Sequence, residues 1–264
     1  MFYDYHMHCS YSADSKTPMK DMIEQSIKLE LKEICFTDHV DYDIISDSNV
    51  TVDYNKYFEE IAFYQNKYAN SISIKKGIEM GLQQHILDRC SKDIRDHDFD
   101  FVIGSIHAID RNELFTGDFH KGKTQRECYE GYYTALLNIV NSFNDYSVLG
   151  HVDLIKRYDK CPINLEDNLF SEYLEAILKK VIENGKGIEL NTSSFRYKLP
   201  DLTPSINILK MYKDLGGEII TVGSDSHNPG QVATKFEYVH NVLRDIGYKY
   251  TCRFNKMNPE FMKL

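Results

Sequence analysis

Along the chain, short runs of β-branched and aromatic residues alternate with longer segments in which apolar side chains recur at helical spacing. The first run, Phe2 to His6, predicts a strand. Thr17-Pro18 then supplies an N-cap and a proline at the first helical position for a helix through Met19, Met22, Ile23 and Ile27. A second strand, Glu33 to Thr37, ends in Asp38-His39. The acidic, irregular stretch from 40 to 55 predicts a surface loop placed to lie over a site, and Tyr57, Phe58, Ile61, Ala62 and Tyr68 mark the next helix. Further strands are predicted at Ile72 to Ile78, Asp100 to Ser105, Ser147 to Gly150, Gly187 to Leu190 and Glu218 to Gly223. Between them lie a polar helix over 83 to 96, a long loop over 109 to 123, and helical stripes from Tyr129 to Phe143, Phe170 to Ile182 and Ile208 to Leu215. A last helix near 231 to 245 leads to an edge strand at Tyr248 to Cys252. This order is βα repeated about seven times, which implies parallel strands with helical crossovers. No Gly-x-Gly-x-x-Gly supports a dinucleotide-binding sheet, so an α/β barrel is the expected architecture.

Composition narrows the function. Of the 264 residues 42% are hydrophobic, enough for a full core, and no repeat or Pro/Gly/Ser linker divides them, so residues 1–264 read as one domain. A net charge of −9 with no Lys/Arg cluster argues against a nucleic-acid partner. No apolar run reaches the ~18 residues of a membrane span. None of the six cysteines forms a C-x-x-C pair, and the first residues lack the basic and apolar regions of a signal peptide. The expectation is a cytoplasmic protein with reduced thiols. A homo-oligomer is compatible with the sequence.

The candidate chemistry sits at the strand ends. His6 and His8 are one residue apart, and side chains at i and i+2 leave the same face of a strand, so two imidazoles enter one space. Asp38 and His39 follow the second strand, Glu79 ends the third, His107 closes the fourth, His151 and Asp153 follow the fifth, and Asp225 and His227 follow the seventh. In a parallel barrel those ends share one face, where barrel active sites lie. Imidazoles mixed with carboxylates and no thiolate suit zinc, manganese or iron. Glu79 is placed by order to bridge two ions. Asp38 and Asp153 read as groups that orient imidazoles. His85, His97, His120 and His240 read as helix or loop residues, and Cys9 as packing. Arg157 and Arg196 lie a few residues beyond strand ends, and a guanidinium fork matches phosphate oxygens. Ser193 and Ser194 add hydroxyls there, and Lys156 reads as solvated.

Taken together, His6-Met-His8, Thr37-Asp38-His39, Gly77-Ile78-Glu79, Gly104-Ser105-Ile106-His107, Gly150-His151-Val152-Asp153 and Ser224-Asp225-Ser226-His227 resemble the polymerase-and-histidinol-phosphatase (PHP) family of metal-dependent phosphoesterases over almost the full length. The resemblance implies a distorted (β/α)7 TIM-like barrel holding two to three divalent ions. His6, His8, Glu79 and Asp225 would hold the first; Glu79, His107 and His151 the second; Asp14, His39 and His227 the third. Some relatives carry histidine where this chain has Asp14. A metal-bound hydroxide positioned by Glu79, His107 and His151 would attack phosphorus, with Arg157 and Arg196 clamping the phosphate. The stand-alone histidinol-phosphate branch is the nearest in pattern, which implies a small-molecule phosphate ester, L-histidinol phosphate, as substrate. Phosphotyrosine or a nucleotide remains an alternative substrate, and a metal-binding scaffold without catalysis an alternative role.

Overall fold

A computed structural model describes residues 1–46 and 49–264. The strands are β1 (Tyr3–Met7), β2 (Glu33–Phe36), β3 (His39–Tyr42), β4 (Asn49–Val50), β5 (Ser73–Gly81), β6 (Phe101–Ser105), β7 (Ala108–Ile109), β8 (Asn112–Glu113), β9 (Val148–Leu149), β10 (Gly187–Asn191), β11 (Ile220–Gly223), β12 (Tyr250–Asn255) and β13 (Asn258–Lys263). The helices are α1 (Met19–Lys28), α2 (Tyr54–Lys67), α3 (Leu87–Arg95), α4 (Gln125–Ser142), α5 (Ser171–Glu183), α6 (Ser193–Tyr197), α7 (Ile206–Asp214) and α8 (Phe236–Ile246). Seven strands pair in parallel in the order β1-β2-β5-β6-β9-β10-β11. Beyond the end of β11, Asp225 N–H donates to the His6 carbonyl at 2.7 Å and His8 N–H to the Ser226 carbonyl at 2.8 Å. These bonds bring β11 back to β1 and nearly close a (β/α)7 barrel, as the alternation implies.

Two irregularities position the site. In β1, Asp4 pairs with Ile34 and Met7 with Phe36, so three steps on one strand match two on the other. This one-residue bulge breaks the alternation of faces. Tyr5 packs inside the barrel against Phe101, with ring centroids 5.0 Å apart, yet its neighbour His6 also turns inward. Met7 joins the outer core under the helices. Without the extra residue, filling the barrel with Tyr5 would turn His6 and His8 outward. The second irregularity is a break after Phe36. β2 runs along the first half of β5, and β3 takes over along the second half, setting His39 beside Glu79 and Asp41 beside Gly81.

The loop expected over 40 to 55 is therefore corrected in its first part. Val40, Asp41 and Tyr42 are buried strand residues, because one face of β3 meets the site and the other the core. Asp47 and Ser48 of that stretch lie outside the described residues. The long loop over 109 to 123 includes the small hairpin β7–β8. Thr17 caps no helix; its hydroxyl instead donates to the His227 carbonyl at 2.8 Å. The edge strand expected at 248 to 252 is the first arm of the antiparallel hairpin β12–β13. Its Cys252 and Phe254 seal the lower end of the barrel against Tyr5, Cys35, Phe101, Ile103 and Val148. Among the described residues no helix is long and apolar enough to cross a membrane, and no cysteine is in a disulfide.

Candidate metal centre

Glu79 lies fully buried at the mouth of the barrel, with its two oxygens facing different imidazoles. Oε2 is 3.1 Å from His6 Nε2, 3.5 Å from His8 Nε2 and 3.1 Å from His39 Nδ1. Oε1 is 3.2 Å from His107 Nε2 and 2.9 Å from His151 Nε2, and accepts from the Ser105 hydroxyl at 2.7 Å. Asp225 Oδ1 stands 3.9 Å from His6 Nε2 and 3.6 Å from His8 Nε2. Asp14 Oδ2 is 2.9 Å from His227 Nε2 and 3.5 Å from His39 Nε2. Topology thus brings all nine predicted ligand residues into one cup. Three sets offer donor atoms that lie within 4.8 Å of one another: His6, His8 and Asp225; His39, Glu79 and His107; His8, His39 and His227. His39 faces both ways, one ring nitrogen toward Glu79 and the other toward Asp14.

The electrostatics match a cation site. Burial would raise the Glu79 carboxyl, but His6, His107 and His39 outweigh it and hold Glu79 well below the usual carboxylate range. Burial first, then the neighbouring His227, His39 and His6, push the His8 imidazole well below its ordinary value. His8 is therefore neutral, and its Nε2 is buried without a hydrogen-bond partner among the described residues. A buried imidazole lone pair without a partner, beside two carboxylates, is what a divalent ion would satisfy. The donor set of six histidines, Glu79, Asp14 and Asp225 fits the metals expected from the sequence.

Behind this layer sit residues that sequence pattern did not single out. Glu189 on β10 holds His6 Nδ1 at 2.6 Å, and Asp41 holds His107 Nδ1 at 2.8 Å. Ser12 stands 3.0 Å from His8 Nδ1 and donates to Asp38 Oδ1 at 2.8 Å. These contacts fix which ring nitrogen each imidazole turns to the centre. The backbone is shaped to permit them. A Cβ at Gly223 would collide with Glu189 and His6, and one at Gly81 with Asp41. His151 and Asp225 both adopt positive φ, at 23° and 52°, a strained conformation for side chains that must point into the mouth.

Three expectations behind the mouth are corrected. Among the described residues Asp38 reaches an imidazole only through Ser12, and it also accepts from the Cys9 amide at 2.7 Å. Asp153 contacts no imidazole among the described residues; its Oδ2 takes the Lys156 ammonium at 2.9 Å and the Ser205 amide at 3.1 Å. Lys156 is not solvated: its side chain is 10% exposed and its ammonium also meets Asp167 at 2.5 Å.

A cavity of about 420 Å³ opens above the centre. Arg157 lines it, bonded to the Ser193 hydroxyl and, at 3.0 Å, to Asp225 Oδ2. Its Nε is buried without a hydrogen-bond partner among the described residues. Arg196 lies one layer out, donating to the Asp225 carbonyl at 2.8 Å and the Ser224 carbonyl at 3.4 Å. Ser194 is buried and its hydroxyl has no partner among the described residues.

Comparison with known proteins agrees with this geometry. The family model described as PHP domain matches residues 4–193, more than half of the chain. A histidinol-phosphatase of Lactococcus lactis is 32% identical over 96% of this chain and 94% of its own length. A protein of Clostridium acetobutylicum described as a probable histidinol-phosphatase is 31% identical over 90% of this chain and 91% of its own. The crystal structure of the Lactococcus lactis histidinol phosphate phosphatase with zinc, L-histidinol and phosphate superposes with a TM-score of 0.92 at 30% identity, covering 98% of each chain. A Listeria monocytogenes structure at 15% identity and TM-score 0.79 shares the fold. The barrel, the strand-end motifs and these full-length likenesses converge on one statement: the chain belongs to the PHP family.

Proposed function

We propose that this protein is a metal-dependent phosphomonoesterase that hydrolyses L-histidinol phosphate to L-histidinol and phosphate, in histidine biosynthesis. The observation that carries the reading is Glu79, whose two oxygens face separate imidazole sets as a carboxylate bridging two cations would. His6, His8, Glu79 and Asp225 would hold one ion, Glu79, His107 and His151 a second, and Asp14, His39 and His227 a third. Two to three ions of zinc, manganese or iron suit these donors. When bound, they would supply Lewis-acid stabilisation of the phosphoryl oxygens and make an attacking water more acidic.

The chain's own groups do the rest. Glu79, His107 and His151 orient the attacking side of the site. Burial would lower the Arg157 guanidinium, but Asp225, Tyr158 and Tyr197 outweigh it and keep it charged. Arg157 lines the cavity, and its guanidinium offers donors to an incoming phosphate oxygen. Arg196 braces the Ser224–Asp225 turn and, by giving up the longer of its carbonyl bonds, can add a second donor. Glu189, Asp41 and Ser12 hold the imidazoles in register, so little reorganisation accompanies reaction.

The test is phosphate release by metal-reconstituted protein from a panel of L-histidinol phosphate, phosphotyrosine, a nucleotide and a generic aryl phosphate. Histidinol phosphate should give the highest kcat/KM by a wide margin. A higher kcat/KM for another ester would reassign the substrate, and no release from any ester with metal bound would make the protein a scaffold.

A further inference from the structure

Part of the cavity wall comes from two short segments: Ile44 and Ser46 beyond β3, and Glu113 and Phe115 at the end of the hairpin β7–β8. Neither segment is held there by its own pairing. The hairpin matches two residues with two and, among the described residues, joins no other strand. Its turn, Asp110-Arg111, has positive φ at both residues, 49° and 70°, a conformation that suits asparagine or glycine and strains arginine. Asp43, where β3 gives way to the wall, has φ 53°.

One buried side chain ties both segments to the barrel. The Gln83 amide nitrogen donates to the carbonyls of Tyr42 at 2.8 Å and Asp43 at 3.3 Å. Its oxygen accepts from the Arg111 amide at 2.7 Å. The Arg111 carbonyl in turn accepts from the Ile45 amide at 3.2 Å. Gln83 follows directly on the strand that bears Glu79, and Leu82 between them donates its amide to the Ser105 carbonyl of β6 at 2.7 Å. A single piece of backbone therefore carries both the bridging carboxylate and the clasp, and it gauges the wall from the metal centre.

We infer that Gln83 is a positioning residue that sets the spacing between this wall and the metal centre, and with it the fit of the alcohol half of the phosphate ester. The inference rests on the functional reading above and deepens it. Gln83 does not line the cavity and touches no substrate. It acts through the backbone of Tyr42, Asp43 and Arg111. Leucine at this position would fill the same volume and leave two carbonyls and an amide without their partner, so both segments would be free to drift.

The test compares metal-loaded wild-type protein with Q83L. KM for L-histidinol phosphate should rise about tenfold, the factor equivalent to one net hydrogen bond, with kcat nearly unchanged. The Kd of L-histidinol, which is the alcohol half alone, should rise in step. The Ki of inorganic phosphate, which probes the ions and Arg157, should stay as in wild type. A lower melting temperature with KM and L-histidinol affinity unchanged would make Gln83 merely structural and overturn the inference. So would a phosphate Ki that rises as much as KM, since the damage would then lie at the ions. Should Q83L fail to fold, amide hydrogen exchange in the wild-type protein decides. The Arg111 amide should be protected although its turn is exposed, and rapid exchange there would mean that no clasp exists. Wild-type protein inactive on L-histidinol phosphate would refute the substrate assignment instead, and the clasp would still stand or fall on Arg111 exchange.

Discussion

Replacing Lys156 by Met would test the buried ion network that carries the turn between His151 and Arg157. The ammonium lies 2.9 Å from Asp153 and 2.5 Å from Asp167, and those acids are 0% and 9% exposed. Methionine fills the same stem volume and leaves two buried carboxylates without a cation. Burial already raises the Asp153 carboxyl, and Lys156 is the largest influence opposing that rise. Removing one partner of a buried pair costs about 3–5 kcal/mol, since the remaining charge is stranded. The deficit should depend on pH in a set direction. In K156M the folded-state pKa of Asp153 rises further above the unfolded value. The cost of that stranded charge is therefore fully felt above the raised pKa and relieved as the pH falls through it and Asp153 takes up a proton. The assay is urea unfolding followed by far-UV circular dichroism at pH 8 and pH 5, the chain having no tryptophan. A loss below about 0.5 kcal/mol at pH 8 would refute the argument, that being the scatter of ordinary surface substitutions. So would a loss that does not shrink at pH 5.

Other outcomes follow from the site and its frame. E79Q should lose phosphatase activity and bound metal, measured by elemental analysis, while its circular dichroism spectrum stays native; retained turnover would contradict the bridging role. R157A should mainly raise KM, and an unchanged KM would remove Arg157 from phosphate binding. G223A should be both destabilised and inactive, because the new methyl displaces His6 and Glu189; a melting temperature and activity equal to wild type would show that the packing there is slack. Burial pushes the His240 imidazole from its ordinary 6.5 down to about 4. Stability tied to it is full above pH 6.5 and lost as the pH falls toward 4, by about 3 kcal/mol at most. H240L should flatten that part of the acid-unfolding curve, and an unaltered curve would reject the assignment.

The barrel and the convergence of the candidate ligands at its mouth were legible because both follow from order. A strand end in a parallel barrel has one possible face, so His6, Glu79, His107, His151 and Asp225 converge whatever the details between them. What escaped was set by tertiary contact. Asp41 looked like part of an acidic loop because its strand is short and borrows the second half of β5 as partner. Glu189 lies inside an ordinary buried strand, and only the proximity of His6 across the barrel gives it a role. Lys156 looked like any surface lysine, and burial with two acids has no periodicity to reveal it. In the sequence Gly223 is merely the end of a strand, although its missing Cβ is what lets two side chains cross. The bulge in β1 was invisible too, since one extra residue leaves the His-x-His spacing intact.

The hairpin β12–β13 has a consequence for biogenesis. Its Phe254 amide donates to the Tyr5 hydroxyl at 2.8 Å, joining positions 249 residues apart. The ribosome therefore releases every strand of the barrel before the stopper that fits beneath them, and Phe101, Ile103 and Val148 wait with their inner faces uncovered. Nascent chains stalled short of residue 250 should be cut by protease within the barrel, whereas chains that expose the hairpin should resist. Equal resistance in both would mean that the cylinder can dry its interior without a floor.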